Sequence, residues 1–196
     1  MTNNLAGARI AIALTGSFCT LAKVFSALPA LKDAGARLTP IFSPAVDQLD
    51  TRFFSAAEVR ARMTELCGCA PLTTIPEVEP IGPKKWFDLV IVAPCTGNTC
   101  AKLAAGIADT SVTMACKSQL RNDRPVLIGL SSNDGLSVAA HNIGVLLSRK
   151  NIFFVPFGQD DPVAKPTSLV LNAGLIAESA RFALEKCQIQ PMLVGF

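Results

Sequence analysis

The sequence predicts an α/β fold, a doubly wound and mostly parallel sheet with helices on both faces. Five apolar runs of strand length recur along the chain, and helical patterns separate them. Each run is almost continuously apolar, which is typical of parallel strands buried on both faces. Half of the 196 residues are hydrophobic and only 17% are charged, so the chain can bury a large core. We expect a single domain over 1–196, with a C-terminal helix and tail from about residue 169.

The first half of the chain alternates predicted strands with amphipathic helices. The predicted strands of the whole chain are 9–14, 37–42, 88–93, 125–130 and 152–155. The helix after the first strand is shortened or kinked by Pro29 and ends at Gly35. A second helix, Ala56 to Leu66, begins after Ser55, and Glu58 completes a capping box there.

The second half is less regular. Residues 70–87 contain four prolines and are predicted to form an irregular crossover, with one short strand near 73–75. Helices are predicted at 98–106, 112–120 and 138–148. An extended loop over 156–168 precedes apolar residues at helical spacing from Leu169 to Leu184, and 189–196 is either a strand or an arm that reaches a partner.

Polar turns follow several of the predicted strands. Thr15-Gly16-Ser17 follows the first strand, Ser43 the second, 94–99 the third and 131–136 the fourth. The carboxyl ends of parallel strands meet at one edge of a sheet, where helix N-termini present free N–H groups. This chemistry suits an anionic or heteroaromatic ligand. An ordinary capped helix explains any one turn taken alone, whereas several at one edge favour a nucleotide-type site.

Composition excludes several other classes of function. The net charge is +3 and no run of Lys and Arg exceeds two, which argues against a nucleic-acid partner. The apolar runs are shorter than the roughly 20 residues of a membrane span, and the N-terminus lacks a signal-peptide pattern, so we expect a cytoplasmic protein. The seven cysteines lack zinc-site spacing, which predicts reduced thiols and no metal site. The single histidine, His141, is expected to be a helix-surface or packing residue.

The polar turns resemble those of one known family. Thr15-Gly16-Ser17, Ser43, 93–99 with Lys102, and 106–109 are similar to the flavoprotein family of homo-oligomeric, FMN-containing Cys decarboxylases, and the match extends over most of the chain. The resemblance implies a Rossmann-like sheet, a homo-oligomer and FMN bound near subunit interfaces.

Site roles follow from the resemblance, residue by residue. Gly16, Ser17 and Ser43 are expected to hold the FMN phosphate. The residues expected to line the flavin are Pro94, Thr96, Asn98 and Thr99, and Asn133 retains the amide of a third family motif. The family's decarboxylases use a catalytic His, which the matching region here lacks. Their third motif, Pro-x-Met-Asn-x-x-Met, has Pro where this chain has Leu130 and Met where it has Ser132 and Leu136.

Three further segments, 49–53, 120–125 and 151–160, narrow the resemblance to one branch of the family. Chains of that branch take part in an oxidation during spore formation, beside a partner of NADP-binding type, in the mother-cell cytoplasm. A small dicarboxylate substrate needs cations. The candidates are Arg52, which is preferred, Lys102, Lys117, Arg121 and Arg124. Two alternatives stay open: a non-catalytic scaffold with a vestigial FMN or phosphate site, and a flavin-dependent decarboxylase.

Overall fold

A computed structural model describes residues 5–195 of the chain. The first four residues, which belong to the segment without a signal-peptide pattern, and Phe196 at the end of the predicted tail lie outside the described residues. No helix in the described range has the length and apolar character required to cross a membrane.

The sheet has seven strands and is mostly parallel, which confirms the predicted fold class. Five parallel strands lie in the spatial order β2-β1-β3-β4-β5. They are β1 (Arg9–Leu14), β2 (Arg37–Phe42), β3 (Leu89–Cys95), β4 (Val126–Ser132) and β5 (Ile152–Phe154). Two short strands, β6 (Phe157–Gly158) and β7 (Leu169–Leu171), extend the sheet, because β7 pairs antiparallel with both the end of β4 and β6.

Ten α-helices surround the sheet within the described range. They are α1 (Phe18–Ala27), α2 (Pro29–Asp33), α3 (Pro44–Gln48), α4 (Ala56–Cys67), α5 (Ile75–Val78), α6 (Ile81–Lys84), α7 (Gly97–Ala105), α8 (Ser111–Leu120), α9 (Val138–Leu147) and α10 (Ile176–Leu184). The predicted break at Pro29 separates α1 from α2. The predicted capping box is also present, since Ser55 Oγ accepts a hydrogen bond from the amide of Glu58 at the start of α4.

A hydrophobic core covers each face of the sheet. Alternate side chains of a strand point to opposite faces, so Ile10 and Ile12 of β1 pack into one core while Ala11 and Ala13 pack into the other. The first core includes buried residues of α1, α2, α4 and α10, and the second includes those of α7, α8 and α9. This double burial explains why the strands are almost continuously apolar.

The structure corrects several element predictions. Leu169–Leu171 is a strand rather than the start of a helix, and α10 begins only at Ile176. The short strand predicted near 73–75 is absent from the described residues; an isolated bridge joins Ile41 to Leu72, and two short helices follow. The loop predicted over 156–168 contains β6, and the tail at 189–195 forms a single bridge from Leu193 to Phe157.

Strand order locates the place where a ligand can bind. The chain passes from β1 to β2 on one side of β1 and then crosses to β3 on the other side, which makes the gap between the ends of β1 and β3 a topological switch point. Open α/β sheets bind their ligands outside the carboxyl ends of the strands at such a point.

Candidate functional site

Thr15 ties together the two turns at the switch point. Its side chain is buried, with 1% exposure, and its hydroxyl donates to the carbonyl of Pro94 over 2.7 Å. The same oxygen accepts a hydrogen bond from the amide of Thr96 over 3.0 Å. The turn after β1 is therefore bonded through one side chain to the turn after β3.

The turn after β3 leads directly into α7. Thr96 caps this helix, because its hydroxyl accepts a hydrogen bond from the amide of Thr99. Gly97 allows the end of β4 to approach: a Cβ at this position would lie 2.5 Å from Ser132 Oγ and 3.0 Å from Asp134 Oδ1. The N-terminus of α7 is thus held between the ends of β1 and β4.

Three hydroxyl groups connect the start of α1 to the end of β4. Ser17 Oγ donates to Ser131 Oγ over 2.9 Å, and Ser131 Oγ lies 2.6 Å from Thr20 Oγ1. Ser17 and Ser131 lie on opposite sides of the switch point, so this cluster sets the distance across it.

Ser43 has an unused hydroxyl. The side chain is 8% exposed, and Ser43 Oγ has no hydrogen-bond partner among the described residues. Its backbone is fixed, since the Ser43 amide donates to the carbonyl of Leu14 and Ser111 Oγ donates to the carbonyl of the preceding residue, Phe42. A buried polar group without a partner is costly, so this hydroxyl is prepared to bind a ligand atom.

Backbone amides at the site are also free. Within the described chain, five backbone amides donate no hydrogen bond: those of Phe18 and Cys19 at the start of α1, Ala45 in α3, and Gly97 and Asn98 at the start of α7. The N-termini of α1 and α7 carry partial positive charge from the helix dipole. The sheet edge thus presents several N–H donors to an anion.

The site is a cleft of two lobes that meet at Gly16 and Thr96. The aromatic lobe is a cavity of about 420 Å³. Its walls are Gly16, Ser17, Phe18, Cys19, Arg52, Phe53, Thr96, Gly97, Ser131, Ser132 and Asn133. The hydroxyl lobe is a cavity of about 360 Å³, and its walls are Thr15, Gly16, Ser43, Pro44, Ala45, Thr96, Asn98, Thr99, Lys102 and Thr110.

One candidate cation lies in each lobe. Arg52 forms no ion pair among the described residues, and its guanidinium lies 4.8 Å from the ring centre of Phe53 in the aromatic lobe. In the hydroxyl lobe, Lys102 Nζ lies 2.8 Å from Asp109 Oδ2. This hydrogen bond lowers the pKa of the Asp109 carboxyl. Lys102 is therefore partly neutralised, and Arg52 is the cation with free charge.

The structure brings nine of the thirteen predicted site residues to the cleft, and the candidate cations Lys117, Arg121 and Arg124 line neither lobe. The aromatic lobe is lined by Asn133, Arg52 and Ser17, whereas Ser43 lines the hydroxyl lobe. Ser17 and Ser43 therefore lie in different lobes. Pro94 lines neither lobe; it is buried, and its carbonyl holds Thr15 from behind the turn. Sequence reasoning missed Phe18, whose spacing indicates only the core face of its helix. It also missed Cys19, Phe53 and Ala45, and the only available signal was their position beside the predicted turns.

Two buried cysteines beside the site, Cys95 and Cys100, and the histidine His141 are poorly suited to catalysis. Burial raises the pKa of the Cys100 thiol to about 11 and raises that of Cys95 well above its ordinary value. Both thiols are thus protonated at neutral pH. His141 is exposed on α9, in accordance with the prediction, and it lines neither lobe.

Comparisons with known proteins bear on this site. The model of the Flavoprotein family matches residues 1–177. The B subunit of dipicolinate synthase from Bacillus subtilis is 42% identical over 192 residues, which cover 98% of this chain and 96% of the relative.

Solved structures agree with the sequence comparisons. The crystal structure of the corresponding B subunit of dipicolinate synthase from Bacillus halodurans superposes with a TM-score of 0.90 at 38% identity, over 98% of each chain. The FMN-dependent cysteine decarboxylase SpaF gives a TM-score of 0.65 at 15% identity, covering 94% of this chain and 98% of that one, and shares the fold. These matches confirm the family predicted from the polar turns. The chain belongs to the Flavoprotein family, in the branch that contains the B subunit of dipicolinate synthase.

Proposed function

We propose that this chain is the flavoprotein-type subunit of a dipicolinate synthase, and that it acts with an NADP-binding-type A subunit to oxidise dihydrodipicolinate to dipicolinate during sporulation. The observation that carries the proposal is the identity to the Bacillus subtilis protein, which extends over almost the whole of both chains. The cleft at the switch point supports the proposal, because it has anion donors in one lobe and a free arginine in the other.

FMN is the cofactor that we propose for this cleft. The unpaired Ser43 hydroxyl, the free amide of Ala45 and the Lys102 ammonium are the donors that a phosphate needs, and all three line the hydroxyl lobe. The aromatic lobe has Phe18 and Phe53 in its walls, which suit a flat heteroaromatic ring. Gly16 and Thr96 belong to both lobes, so one ligand can extend across them. When bound, FMN supplies an acceptor for two electrons.

Within this proposal each predicted residue has a role. Ser43 and Gly16 bind the phosphate, while Thr96, Asn98 and Thr99 contact the cofactor at the junction of the lobes. Ser17 contributes through the hydroxyl cluster with Ser131 rather than as a direct phosphate ligand. Pro94 acts indirectly, by holding the turn through Thr15.

Arg52 is the proposed substrate-binding cation. A guanidinium pairs with a carboxylate through two parallel hydrogen bonds, and Arg52 has no competing acid among the described residues. Asn133 lies in the same lobe and adds an amide donor. Together they would orient one carboxylate of a small dicarboxylate beside the cofactor.

Oxidation of the dihydropyridine ring removes two electrons and two protons. The aromatic lobe contains neither an acidic side chain nor a histidine among its described walls, so this chain by itself does not offer a complete acid–base set. We therefore propose that the A subunit is required for turnover. The complex would act in the mother-cell cytoplasm, and this chain would assemble as a homo-oligomer.

Two substitutions at Ser43 test the cofactor site. Asp and Asn are both good helix N-caps, so either residue preserves the start of α3. Ser43→Asp places a negative charge where the phosphate belongs and should abolish FMN binding in equilibrium dialysis. Ser43→Asn, the uncharged control of nearly the same size, should retain at least part of it. Equal FMN binding by both variants would contradict the phosphate assignment.

Reconstitution tests the reaction. The chain and its A subunit should together form dipicolinate from dihydrodipicolinate, whereas the chain alone should not. Arg52→Gln should raise the KM for dihydrodipicolinate and leave the amount of bound flavin unchanged. Lys186→Gln also removes one positive charge, two residues after the end of α10, and serves as the control. Full activity of a complex that contains no flavin would support the scaffold alternative and reject the cofactor role.

A further inference from the structure

A second cavity lies at the other end of α7, away from the cleft. The N-terminus of α7 forms part of the cleft, whereas Leu103 and Ile107 near its C-terminus line a separate cavity of about 260 Å³. The other walls come from one face of α8 and from the end of α9. None of the residues that line this cavity also lines the cleft.

Three cations line this second cavity, and no acidic residue is among its walls. They are Lys117 and Arg121, one turn apart on α8, and Arg149 just after α9. Lys117 and Arg121 form no ion pair within the part of the chain that the structure describes, and neither does Arg149. Like charges brought into one concave surface repel each other, so the cavity is favourable for a ligand with at least two negative charges.

Two of the three cations are held in place. Arg149 Nη1 donates to the carbonyl of Leu103 over 3.0 Å and Nη2 to that of Ala104 over 2.6 Å, which fixes its guanidinium at the end of α7. Arg121 packs against the backbone of Gly82, where an added Cβ would lie 2.6 Å from Nη2. Both arginines therefore have defined neighbours in the cavity wall, although both are exposed to solvent.

The remaining walls are apolar. Leu103 and Leu120 line the cavity together with Ile107, whose side chain is 47% exposed. An inorganic anion would leave this apolar surface in contact with water. A compact organic anion would cover it and pair its charges with the arginines, which favour carboxylates through bidentate hydrogen bonds.

We propose that this cavity is a second ligand site, and that it binds a small dicarboxylate with an apolar, flat body. Each carboxylate pairs with an arginine, Lys117 adds a third charge, and the body of the ligand lies against Leu120 and Ile107. The site stands apart from the cleft and does not depend on FMN or on the A subunit. A site of this kind allows a dicarboxylate to bind the protein without occupying its reaction cleft.

Isophthalate is a suitable probe, because it carries two carboxylates on a flat ring and has no ring nitrogen that would chelate metal ions. Calorimetric titration of the full chain should detect its binding. Arg121→Gln and Lys117→Gln, both at exposed positions, should each weaken binding by about tenfold or more, since hydrogen bonds to charged groups are worth roughly 1.5–3 kcal/mol.

Two control variants separate this site from general electrostatics and from the cleft. Lys23→Gln removes one exposed helical cation elsewhere and should leave isophthalate binding unchanged. Arg52→Gln removes the cation proposed to bind a dicarboxylate in the cleft, so in this variant the binding that remains is binding at the second cavity, and it should still be lost when Arg121→Gln is added. Absence of binding, or equal binding by Arg121→Gln and the original chain, would overturn the proposal. Because the measurement uses this chain alone and no turnover, it is independent of the outcome of the reconstitution experiment.

Discussion

Replacement of Thr15 by Val tests whether one buried hydroxyl holds the two turns of the cleft together. The two side chains have nearly the same shape, so the change removes hydrogen bonds and little volume. It leaves the carbonyl of Pro94 without the hydrogen bond that Thr15 now donates, and the amide of Thr96 without its acceptor. A buried polar group that loses its partner costs about 1–3 kcal/mol.

The two lost hydrogen bonds do not have equal cost. Pro94 is buried, whereas the Thr96 end of the network is partly exposed, so water can replace part of the second bond. We therefore expect the free energy of unfolding to fall by about 2–4 kcal/mol. For a chain of this length, that loss lowers Tm by about 5–15 °C.

Urea and thermal unfolding, followed by circular dichroism, measure this difference. Thr39→Val is the matched control, because Thr39 lies in the neighbouring strand β2 and its hydroxyl has no side-chain hydrogen bond in the described chain. If Thr15→Val loses no more stability than Thr39→Val, the hydroxyl does not hold the turns and the reasoning fails. FMN binding should weaken in the Thr15 variant alone.

Two other predictions concern charge and accessibility. The hydrogen bonds from Arg9 lower the pKa of Asp88 to about 2, so this carboxylate stabilises the fold at neutral pH, and the contribution is lost as pH falls from about 4 towards 2. Asp88→Asn should cost about 1 kcal/mol at pH 7, after allowance for solvent screening, and the difference from the original chain should shrink in acid; Asp33→Asn, which removes an exposed carboxylate with no ion pair in the described chain, is the control for the loss of one charge. Cys19 and Cys187 are both exposed, but only Cys19 lines the cleft, so FMN should slow thiol alkylation at Cys19 and leave Cys187 unaffected. Equal protection of both cysteines, read by peptide mass spectrometry, would argue against FMN in the aromatic lobe.

Local signals made much of the fold predictable. The parallel strands buried on both faces are recognisable as continuous apolar runs, and their predicted bounds differ from the observed ones by a few residues at most. The capping box at Ser55 and the break at Pro29 depend only on neighbouring residues, so they were equally accessible. Strand β7 was not, because its leucines fit a helical spacing as well as a strand, and only its pairing with β4 decides between them.

For the candidate site, the positions of the residues were predictable but the orientations of their side chains were not. Polar residues at the ends of parallel strands must meet at one edge, and this rule alone brought Gly16, Ser43 and Thr96 together. The rule does not say which way each side chain points. Ser17 points towards Ser131, and Phe18 faces the cavity. Packing across the sheet decides these orientations, and it cannot be predicted from the sequence pattern.

The turn after β4 depends on contacts with a part of the chain that is synthesised later. The turn after β4, which carries Asn133, is held by residues that follow it by more than thirty positions: Thr167 Oγ1 donates to the carbonyl of Asn133, and the amide of Leu136 donates to the carbonyl of Thr167. Gly135 packs so closely on Leu169 that a Cβ would lie 2.7 Å from it. A nascent chain that has emerged only as far as β5 already contains most residues of the cleft, yet lacks the segment that fixes one wall. The cleft is therefore complete only after the chain has been made beyond Leu169, since shorter lengths lack the contacts that fix the turn carrying Asn133.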